Sequence, residues 1–391
     1  MEIRITNYDL GVEGFKNGGC RMKIAVNTGG GDAPGLNAVI RGIVLAAYQK
    51  GWEVFGIKYG YRGLIDSKQM IRLTPEYVWD ITNIGGTILG TAIKGDPFEY
   101  PVKNSDGTVA ETDISDVIVS NFKSLGFDVL IAIGGDGSLR IAEKFMKKGI
   151  PLIGIPKTID NDISSTDVTF GFDTAVNTAT EAIDKLHTTA RSHDRVMVVE
   201  VMGRYVGWIA LHSGISGSAD VILIPEIPFD IEKVCNKIKQ LTLIGKDYAI
   251  VVVAEGAKPV GGEICVVEEK CPGAEARLGG VGKKVSEEIR KATGKETRDI
   301  VLGHLQRGGA PTTFDRLLSL RFGAAAVRFI EAGKFGHMAA VRSTEIIAVP
   351  VEEAIGQMKA ISLHSDIIQT ARSLHKFRRL IQGLLLTGIV K

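Results

Sequence analysis

Residues 129–138 read Val-Leu-Ile-Ala-Ile-Gly-Gly-Asp-Gly-Ser, an apolar run that passes directly into a glycine-rich turn. The apolar residues 129–133 have the length and the β-branched character of a buried strand. The turn after them combines glycines with one carboxylate and has no bulky side chain. Glycines let the backbone approach an anion closely, and free N–H groups at the start of a following helix bind phosphate. The stretch therefore predicts a strand, a phosphate-binding turn and a helix.

The same alternation of short apolar runs and helical patterns continues along the chain. The strand candidates include residues 23–27, 54–58, 129–133, 152–155, 195–201, 221–224, 249–253 and 346–349. The helix candidates between them include residues 36–49, 139–148, 174–189, 231–241, 282–293 and 316–332. This order predicts an α/β fold of two Rossmann-like lobes. We expect mostly parallel sheets flanked by helices, with the active site in the cleft between the lobes.

The composition excludes several classes of function. The 391 residues carry a formal net charge of +2 without a long basic run, so neither nucleic-acid nor membrane-surface binding has electrostatic support. No apolar run reaches the ~18 residues of a membrane span. The four cysteines form no Cys-x-x-Cys pair, which disfavours a zinc site and fits a reducing compartment. We therefore expect a cytoplasmic protein.

Two further motifs follow other strand candidates. Residues 27–37 read Asn-Thr-Gly-Gly-Gly-Asp-Ala-Pro-Gly-Leu-Asn, which suits a phosphate-binding turn but equally a plain tight turn. Residues 156–162 read Pro-Lys-Thr-Ile-Asp-Asn-Asp. One carboxylate of this motif can act as a general base while the other helps to place a metal, unless the motif is only an Asx-rich turn. Asp136, in the opening stretch, is either a Mg²⁺ ligand or a helix cap.

Arginines and one histidine follow two later strands. Arg204 comes after residues 195–201, and Arg298 precedes the motif 303–309, Gly-His-Leu-Gln-Arg-Gly-Gly. Arginine binds phosphate through its bidentate fork. Any single arginine is otherwise a solvated surface residue, and His304 alone is otherwise structural. The sequence leaves both alternatives open.

In combination, six motifs resemble the 6-phosphofructokinase family. GGDAPGLNA, GGTILG, GGDGS, PKTIDND, VEVMGR and GHLQRGG occur in the family's order, between about residues 22 and 355. The resemblance implies a two-lobed α/β enzyme, usually a tetramer. It also implies Mg²⁺-dependent transfer of a phosphoryl group to the 1-hydroxyl of fructose 6-phosphate in glycolysis.

The family's functional residues carry over onto matching positions. Asp160 looks like the proton acceptor, with Thr158 beside it, Arg204 stabilising the transferring group and Lys157 available to stabilise negative charge. The donor-binding positions are Gly31, Gly135, Asp136, Gly137 and Ser138, and the metal positions are Asp136 and Asp162. The sugar-phosphate positions are Thr158, Asp160, Arg195, Met202, Gly203, Arg204, Glu255, Arg298, His304 and Arg307.

Three positions bear on the phosphoryl donor. Gly137 leaves room for a nucleotide α-phosphate, whereas pyrophosphate-dependent relatives usually have aspartate there, so ATP is the expected donor. Lys157 resembles the pyrophosphate-type sequences but also occurs with glycine in some ATP-dependent branches. Many relatives have an arginine after the GGTxLG turn, where this chain has Ile93. Lys94 is the nearest cation, and we expect it to replace part of the lost function.

The resemblance also predicts domains and assembly. Residues 1–21 are an extension of unknown role, 22–160 a nucleotide-binding lobe, and 161–325 a sugar-phosphate lobe with crossovers back to the first. Residues 326–391 form a C-terminal segment with an amphipathic helical tail. We expect a dimer or tetramer in which Arg195 and Arg298 are lent to a neighbouring subunit's site.

Other functions stay open. A pyrophosphate-dependent fructose-6-phosphate phosphotransferase is the enzymatic alternative, and another acceptor such as sedoheptulose 7-phosphate is possible. A non-catalytic regulatory homologue is the alternative of another class. A regulatory homologue need not keep a base and metal ligands, so the presence of Asp160, Asp162 and Asp136 argues against it. A nicotinamide dehydrogenase is a weak third alternative. Its fingerprint needs Gly-x-Gly-x-x-Gly and an acidic residue after the second strand, whereas residues 54–58 are followed here by Tyr-Gly-Tyr.

Overall fold

The computed structural model describes residues 21–92, 96–103, 109–268 and 276–374. In this part of the chain the strands are β1 (Lys23–Thr28), β2 (Glu53–Ile57), β3 (Met70–Leu73), β4 (Tyr100–Lys103), β5 (Val109–Thr112), β6 (Val129–Gly134), β7 (Leu152–Pro156), β8 (Val196–Val201), β9 (Val221–Leu223), β10 (Ala249–Ala254), β11 (Val266–Glu268), β12 (Arg277–Leu278), β13 (Thr297–Val301), β14 (His337–Arg342) and β15 (Glu345–Pro350).

The α-helices of the same residues are α1 (Leu36–Tyr48), α2 (Arg62–Ile65), α3 (Ser115–Ser124), α4 (Asp136–Lys147), α5 (Phe172–Ser192), α6 (Trp208–Ser216), α7 (Ile231–Leu243), α8 (Val281–Thr293), α9 (Thr313–Glu331), α10 (Val351–Ile355) and α11 (Asp366–Leu374). Two 3₁₀ helices cover Ser67–Gln69 and Gly303–Arg307. Among these helices, none is long and apolar enough to cross a bilayer.

The larger sheet has, within the described residues, the strand order β15-β14-β7-β6-β1-β2-β3. Its inner strands run parallel, and β3 and β15 pair antiparallel at the two edges. β6 is buried along its whole length, and its side chains alternate between two cores. Ile131 and Ile133 pack with residues of α1 and α9, whereas Leu130 and Ala132 pack with residues of α3 and α4. Coverage of both faces explains why the strand reads as a continuous apolar run.

The smaller sheet has the order β13-β8-β10-β9, with all four described strands parallel. Residues of α5 and α6 share a core with one face, and residues of α7 and α8 share a core with the other. The chain then returns to the larger sheet through α9, which packs closely on α1. A Cβ atom on Gly323 would lie only 2.4 Å from the backbone oxygen of Val39, so this helix contact requires glycine.

Strand register places the predicted turns side by side. Thr28 at the end of β1 pairs with Ile133 of β6, and Gly134 at the end of β6 pairs with Pro156 of β7. In the smaller sheet Val201 and Ala254 end β8 and β10 in register. Open parallel sheets bind ligands at these carboxyl ends. The fold therefore gathers the turns that follow β1, β6 and β7 at one edge.

The α/β prediction is confirmed, with small differences at element ends. Helix α4 begins at Asp136 rather than Leu139, and the short polar strand β13 was not among the predicted strands. The C-terminal helix is present as α11, where Ile368 is buried in the core beside α5 and α6. Its continuation beyond residue 374, and the extension 1–20, lie outside the described residues.

Candidate active site

The loop after β7 carries the predicted base. Lys157 and Asp160 are almost completely buried, with 3% and 4% of their surfaces exposed. The Asp160 backbone N–H donates to Oγ1 of Thr158 at 3.0 Å. Asp160 Oδ1 is buried without a hydrogen-bond partner in the structure. An acceptor atom without a partner is costly to bury, so this oxygen is available to a substrate hydroxyl.

Both carboxyl groups of the loop have raised pKa values. Burial raises the pKa of Asp160, while the charges of Arg307, Arg204 and Lys157 act in the opposite direction. Burial, together with the charge of Asp160, raises the pKa of Asp162 to about 6. Buried carboxyl groups with raised pKa values accept protons near neutral pH more readily than exposed ones.

Two cations reach the turn after β1. Lys157 Nζ donates to the carbonyl oxygen of Gly31, and Arg307 Nη1 donates to the carbonyl oxygen of Asp32 at 3.0 Å. Burial, and secondarily the charge of Arg307, lowers the pKa of Lys157 to about 8. The loop after β7 and the helix Gly303–Arg307 thus both place positive charge at the first glycine turn. Such a cluster suits phosphate groups.

The turn after β6 contains two glycines with different surroundings. A Cβ atom on Gly134 would lie 2.2 Å from Cβ of Ser138, so close packing requires glycine there. A Cβ atom on Gly137 would meet nothing within 4 Å. Asp136 lies in the first turn of α4, where its Oδ2 accepts from Nε of Arg140 at 2.8 Å. Packing within the protein therefore does not explain the glycine at position 137.

The turns of the smaller sheet bring Arg204 and Glu255 together. The backbone N–H of Arg204 donates to Oε1 of Glu255 at 3.0 Å. Arg204 has a positive φ of 51°, and a Cβ atom on Gly256 would lie 1.9 Å from the Arg204 carbonyl oxygen. Burial raises the pKa of Glu255 to about 7. The Arg204 charge also acts against the burial that raises the pKa of Asp160, so the turn after β8 lies near the base loop.

Arg195 and Arg298 lie away from Asp160 in this chain. Arg195 directly precedes β8 and Arg298 is the second residue of β13, so both lie near the amino-terminal edge of the smaller sheet. Arg195 Nε is 2.8 Å and Arg298 Nη2 is 2.5 Å from the Glu296 carboxylate. The structure therefore does not bring these two predicted residues into the site of this chain.

Most of the other predicted residues adjoin the elements described above. Met202 and Gly203 adjoin Arg204 in the turn after β8, and exposed His304 shares its 3₁₀ helix with Arg307. Gly135 precedes α4 as its N-cap residue. The predicted Lys94 lies outside the described residues.

A Mg²⁺ ion fits the carboxylates of the site. Asp162 Oδ1 is buried without a hydrogen-bond partner, and the Asp136 charge contributes to the raised pKa of Asp162. The described residues contain no cluster of three or more acidic, histidine or cysteine side chains suited to a metal. Mg²⁺ is usually held by one or two carboxylates together with substrate phosphates and water, so two carboxylates suffice.

The sequence prediction missed two residues at this site. Arg140, which pairs with Asp136, lies four residues further along α4, and this spacing was available as a signal. Lys359 donates from Nζ to Oδ1 of Asn161 at 2.8 Å, although the two residues are 198 positions apart. No local spacing rule could have found that contact.

Comparisons with known proteins identify one protein family. The family model described as "Phosphofructokinase" matches residues 23–330. The ATP-dependent 6-phosphofructokinase of Chloroflexus aurantiacus is 51% identical over 354 residues, covering 90% of this chain and 97% of the relative. The pyrophosphate–fructose 6-phosphate 1-phosphotransferase of Streptomyces coelicolor is 48% identical over 344 residues, covering 87% and 96%.

A solved structure shows the same fold. Phosphofructokinase of Pichia pastoris in the T-state aligns with a TM-score of 0.74 and 29% identity, covering 92% of this chain. This chain spans 37% of the length of that yeast protein.

Proposed function

This chain belongs to the phosphofructokinase family, and from that premise we propose that it is an ATP-dependent 6-phosphofructokinase. It transfers the γ-phosphoryl group of ATP to the 1-hydroxyl of D-fructose 6-phosphate and forms fructose 1,6-bisphosphate and ADP, a step of glycolysis. One observation carries the proposal most strongly. Asp160 is buried with an unpartnered oxygen, and Lys157, Arg204 and Arg307 act on its charge beside the glycine turns. A base among cations at a phosphate-binding edge suits phosphoryl transfer.

The roles of the protein groups follow from their positions. Asp160 accepts the proton of the attacking sugar hydroxyl as the oxygen forms its bond to the γ-phosphorus. Thr158 helps to orient Asp160, because its hydroxyl accepts the Asp160 backbone N–H. Arg204 and Lys157 offset negative charge on the transferring group, since positioning and charge stabilisation supply most of the catalysis in such reactions. Arg307, Met202, Gly203, Glu255 and His304 hold the sugar phosphate.

The donor occupies the edge formed by the turns after β1 and β6. Gly31, Gly135, Gly137 and Ser138 contact its phosphates, and Lys94 adds a cation. Asp136 and Asp162 hold Mg²⁺, which, when bound, neutralises charge on the donor phosphates. Arg140 keeps the Asp136 carboxylate oriented through its bond at 2.8 Å.

Gly137 supports ATP over pyrophosphate as the donor. Relatives named for either donor are similarly identical to this chain, at 51% and 48%, so overall identity does not separate the two. A side chain at position 137 would enter open space rather than the protein interior. An aspartate there would place bulk and negative charge next to the donor phosphates, and such repulsion opposes a ligand effectively. Lys157 is compatible with both donors, which keeps pyrophosphate as the second candidate.

An assay of donors and acceptors tests the proposal. Purified protein is supplied with ATP or pyrophosphate, and with fructose 6-phosphate or sedoheptulose 7-phosphate, and phosphorylated sugar is measured. We expect fructose 6-phosphate turnover with ATP to exceed that with pyrophosphate by at least about 100-fold, a difference of about 3 kcal/mol in transition-state binding. The reverse order would establish the pyrophosphate-dependent enzyme. Sugar-phosphate binding without turnover would favour a regulatory homologue.

A pair of variants isolates the role of position 137. Gly137→Asp should lower kcat/KM for ATP by about 10- to 100-fold through repulsion of the donor phosphates. Gly137→Ala adds a Cβ without charge, and since nothing lies within 4 Å it should stay near wild type. Equal losses in both variants would show that bulk or helix geometry, rather than charge, matters at this position.

Arg195 and Arg298 are the basis for an assembly in which neighbouring subunits complete each other's sites. We also infer that residues 22–160 bind the donor and 161–325 bind the sugar phosphate, in a cytoplasmic homodimer or homotetramer. Co-expression of an Asp160→Asn chain with an Arg298→Ala chain tests the lending. Activity should reappear in mixed oligomers, because one site then has both groups. Mixed oligomers that stay inactive would refute the lending of Arg298.

A further inference from the structure

Lys359 lies in the segment after α10 and contacts the base loop at several points. Its backbone N–H donates to the Asp162 carbonyl oxygen at 2.8 Å. Its Nζ donates to Oδ1 of Asn161 at 2.8 Å and to the carbonyl oxygens of Thr166 and Asp167 at 3.0 and 2.9 Å. An ammonium group has three donors, and all three are used on this one stretch of chain.

Asn161 separates the predicted base from the predicted metal ligand. It is buried and adopts a left-handed conformation with a φ of 55°, a region that, among residues other than glycine, Asn and Asp adopt most readily. Its side-chain oxygen accepts both from the Thr169 backbone N–H at 3.1 Å and from Lys359. Because the backbone direction changes at Asn161, its conformation sets how Asp160 and Asp162 are placed relative to each other.

The same segment is joined to the opposite side of the site. Trp208 Nε1, at the start of α6, donates to the Lys359 carbonyl oxygen at 2.8 Å. Glu226 accepts the backbone N–H of Ile361 at 3.1 Å and also that of Gly207, which precedes α6. The turn that carries Arg204 leads directly into α6. Residues 359–361 therefore connect the base loop of the larger sheet with the arginine turn of the smaller one.

We propose that Lys359 is a positioning residue for phosphoryl transfer. It holds Asn161 in its left-handed conformation and ties the base loop to α6, and so fixes Asp160 and Asp162 relative to Arg204. This role rests on the proposed function, because it concerns the geometry of that reaction. Displacements of about 1 Å at reacting groups can cost on the order of 100-fold in rate, so loss of the ammonium should be visible in kcat.

The variant Lys359→Met keeps most of the side-chain volume and removes the ammonium. We expect kcat to fall by about 10- to 100-fold, while KM for fructose 6-phosphate changes by less than about threefold. The Mg²⁺ concentration for half-maximal rate should rise severalfold, since Asp162 is displaced. Lys359→Arg should recover part of kcat.

Lys23→Met is the matched control. Lys23 Nζ also donates to a backbone carbonyl, that of Leu125, and lies over an aromatic ring, but it is at the amino end of β1. This variant should lose stability without a change in kcat or in Mg²⁺ dependence. If Lys359→Met shows only the same loss of stability, Lys359 is structural and the proposal fails.

A double-mutant cycle tests the route through Asn161. Glycine adopts the left-handed conformation freely, so Lys359→Met should cost less in an Asn161→Gly background. Additive effects of the two substitutions would show that Lys359 does not act through Asn161.

A wild-type protein without turnover would refute the proposed function instead, and hydrogen exchange over residues 158–167 would then decide the positioning role. Exchange there should be faster in Lys359→Met than in Lys23→Met, and equal exchange would refute the role.

Discussion

Asp160 and Asp315 are both buried carboxylates with raised pKa values, and they lie in very different surroundings. Asp160 is acted on by the charges of Arg307, Arg204 and Lys157 at the carboxyl edge of the larger sheet. Asp315, in the first turn of α9, accepts from the backbone N–H and the hydroxyl of Thr174 at 2.8 and 2.6 Å. Burial raises the Asp315 pKa to about 6, against the effect of the Thr174 hydrogen bonds.

The difference shows that burial alone does not identify a catalytic base. Hydrogen bonds from Thr174 tie Asp315 to α5, and the Thr312 N–H in turn donates to the Thr174 hydroxyl at 3.0 Å. This network joins the starts of α5 and α9, which is a structural task. Cations around Asp160 instead create a place for an anionic substrate next to an acceptor atom. The electrostatic surroundings therefore distinguish the two roles.

The largest expected effect is on catalysis at Asp160. Asp160→Asn removes the proton acceptor and should lower kcat by about 10³-fold, within the range usual for general bases. Asp315→Asn should change kcat by less than twofold in the same assay of ATP-dependent fructose 6-phosphate phosphorylation. Retained activity in Asp160→Asn would refute the assigned base, and an equal loss in Asp315→Asn would remove the contrast between the two sites.

The next effect is on stability, and here we expect the Asp315 variant to lose more than the Asp160 variant. Asp315→Ala leaves the buried N–H and hydroxyl of Thr174 without their acceptor, which should cost about 3 kcal/mol in the free energy of unfolding. Asp160→Asn should change that free energy by less than about 1 kcal/mol. Urea unfolding at pH 7 measures both. Similar losses would mean that Asp160 also has a structural role.

The smallest effect is a pH dependence of stability at Asp315. Burial raises the pKa of Asp315 in the folded state from its ordinary value of 3.8 to about 6, so folding favours the protonated form. The associated stability is fully present below pH 3.8 and is lost as the pH rises through 6. Between pH 5 and 7 the wild type should therefore lose about 1 kcal/mol relative to Asp315→Asn. If the difference in unfolding free energy between wild type and Asp315→Asn is the same at both pH values, Asp315 is ionised in the folded protein at both.

Much of the fold could be predicted from the sequence, for a physical reason. β1, β6 and β7 are buried on both faces, so the sequence of each is a continuous apolar run. A glycine turn or the base motif follows each of these strands. β13 was missed because its residues, Thr-Arg-Asp-Ile-Val, are mostly polar and its side chains are largely exposed. Strand signals weaken wherever one face of a strand meets water.

Some contacts of the buried polar residues could also be predicted from the sequence, and others could not. Motifs on adjacent parallel strands must meet at the carboxyl edge, so the meeting of the glycine turns with the base loop followed from the order of elements. The Lys359–Asn161 and Asp315–Thr174 contacts join residues 198 and 141 positions apart. Their partners are fixed only by how helices and loops pack in three dimensions. Sequence spacing therefore carried no signal for either contact.

The open space beside Gly137 has an evolutionary consequence. Side-chain packing within the protein therefore places little constraint on the residue at this position. Some glycine codons differ from an aspartate codon at a single base. An exchange of glycine for aspartate at this position would therefore need no compensating change in the core. Under the role proposed for Gly137, donor preference can change while the scaffold around the site stays the same.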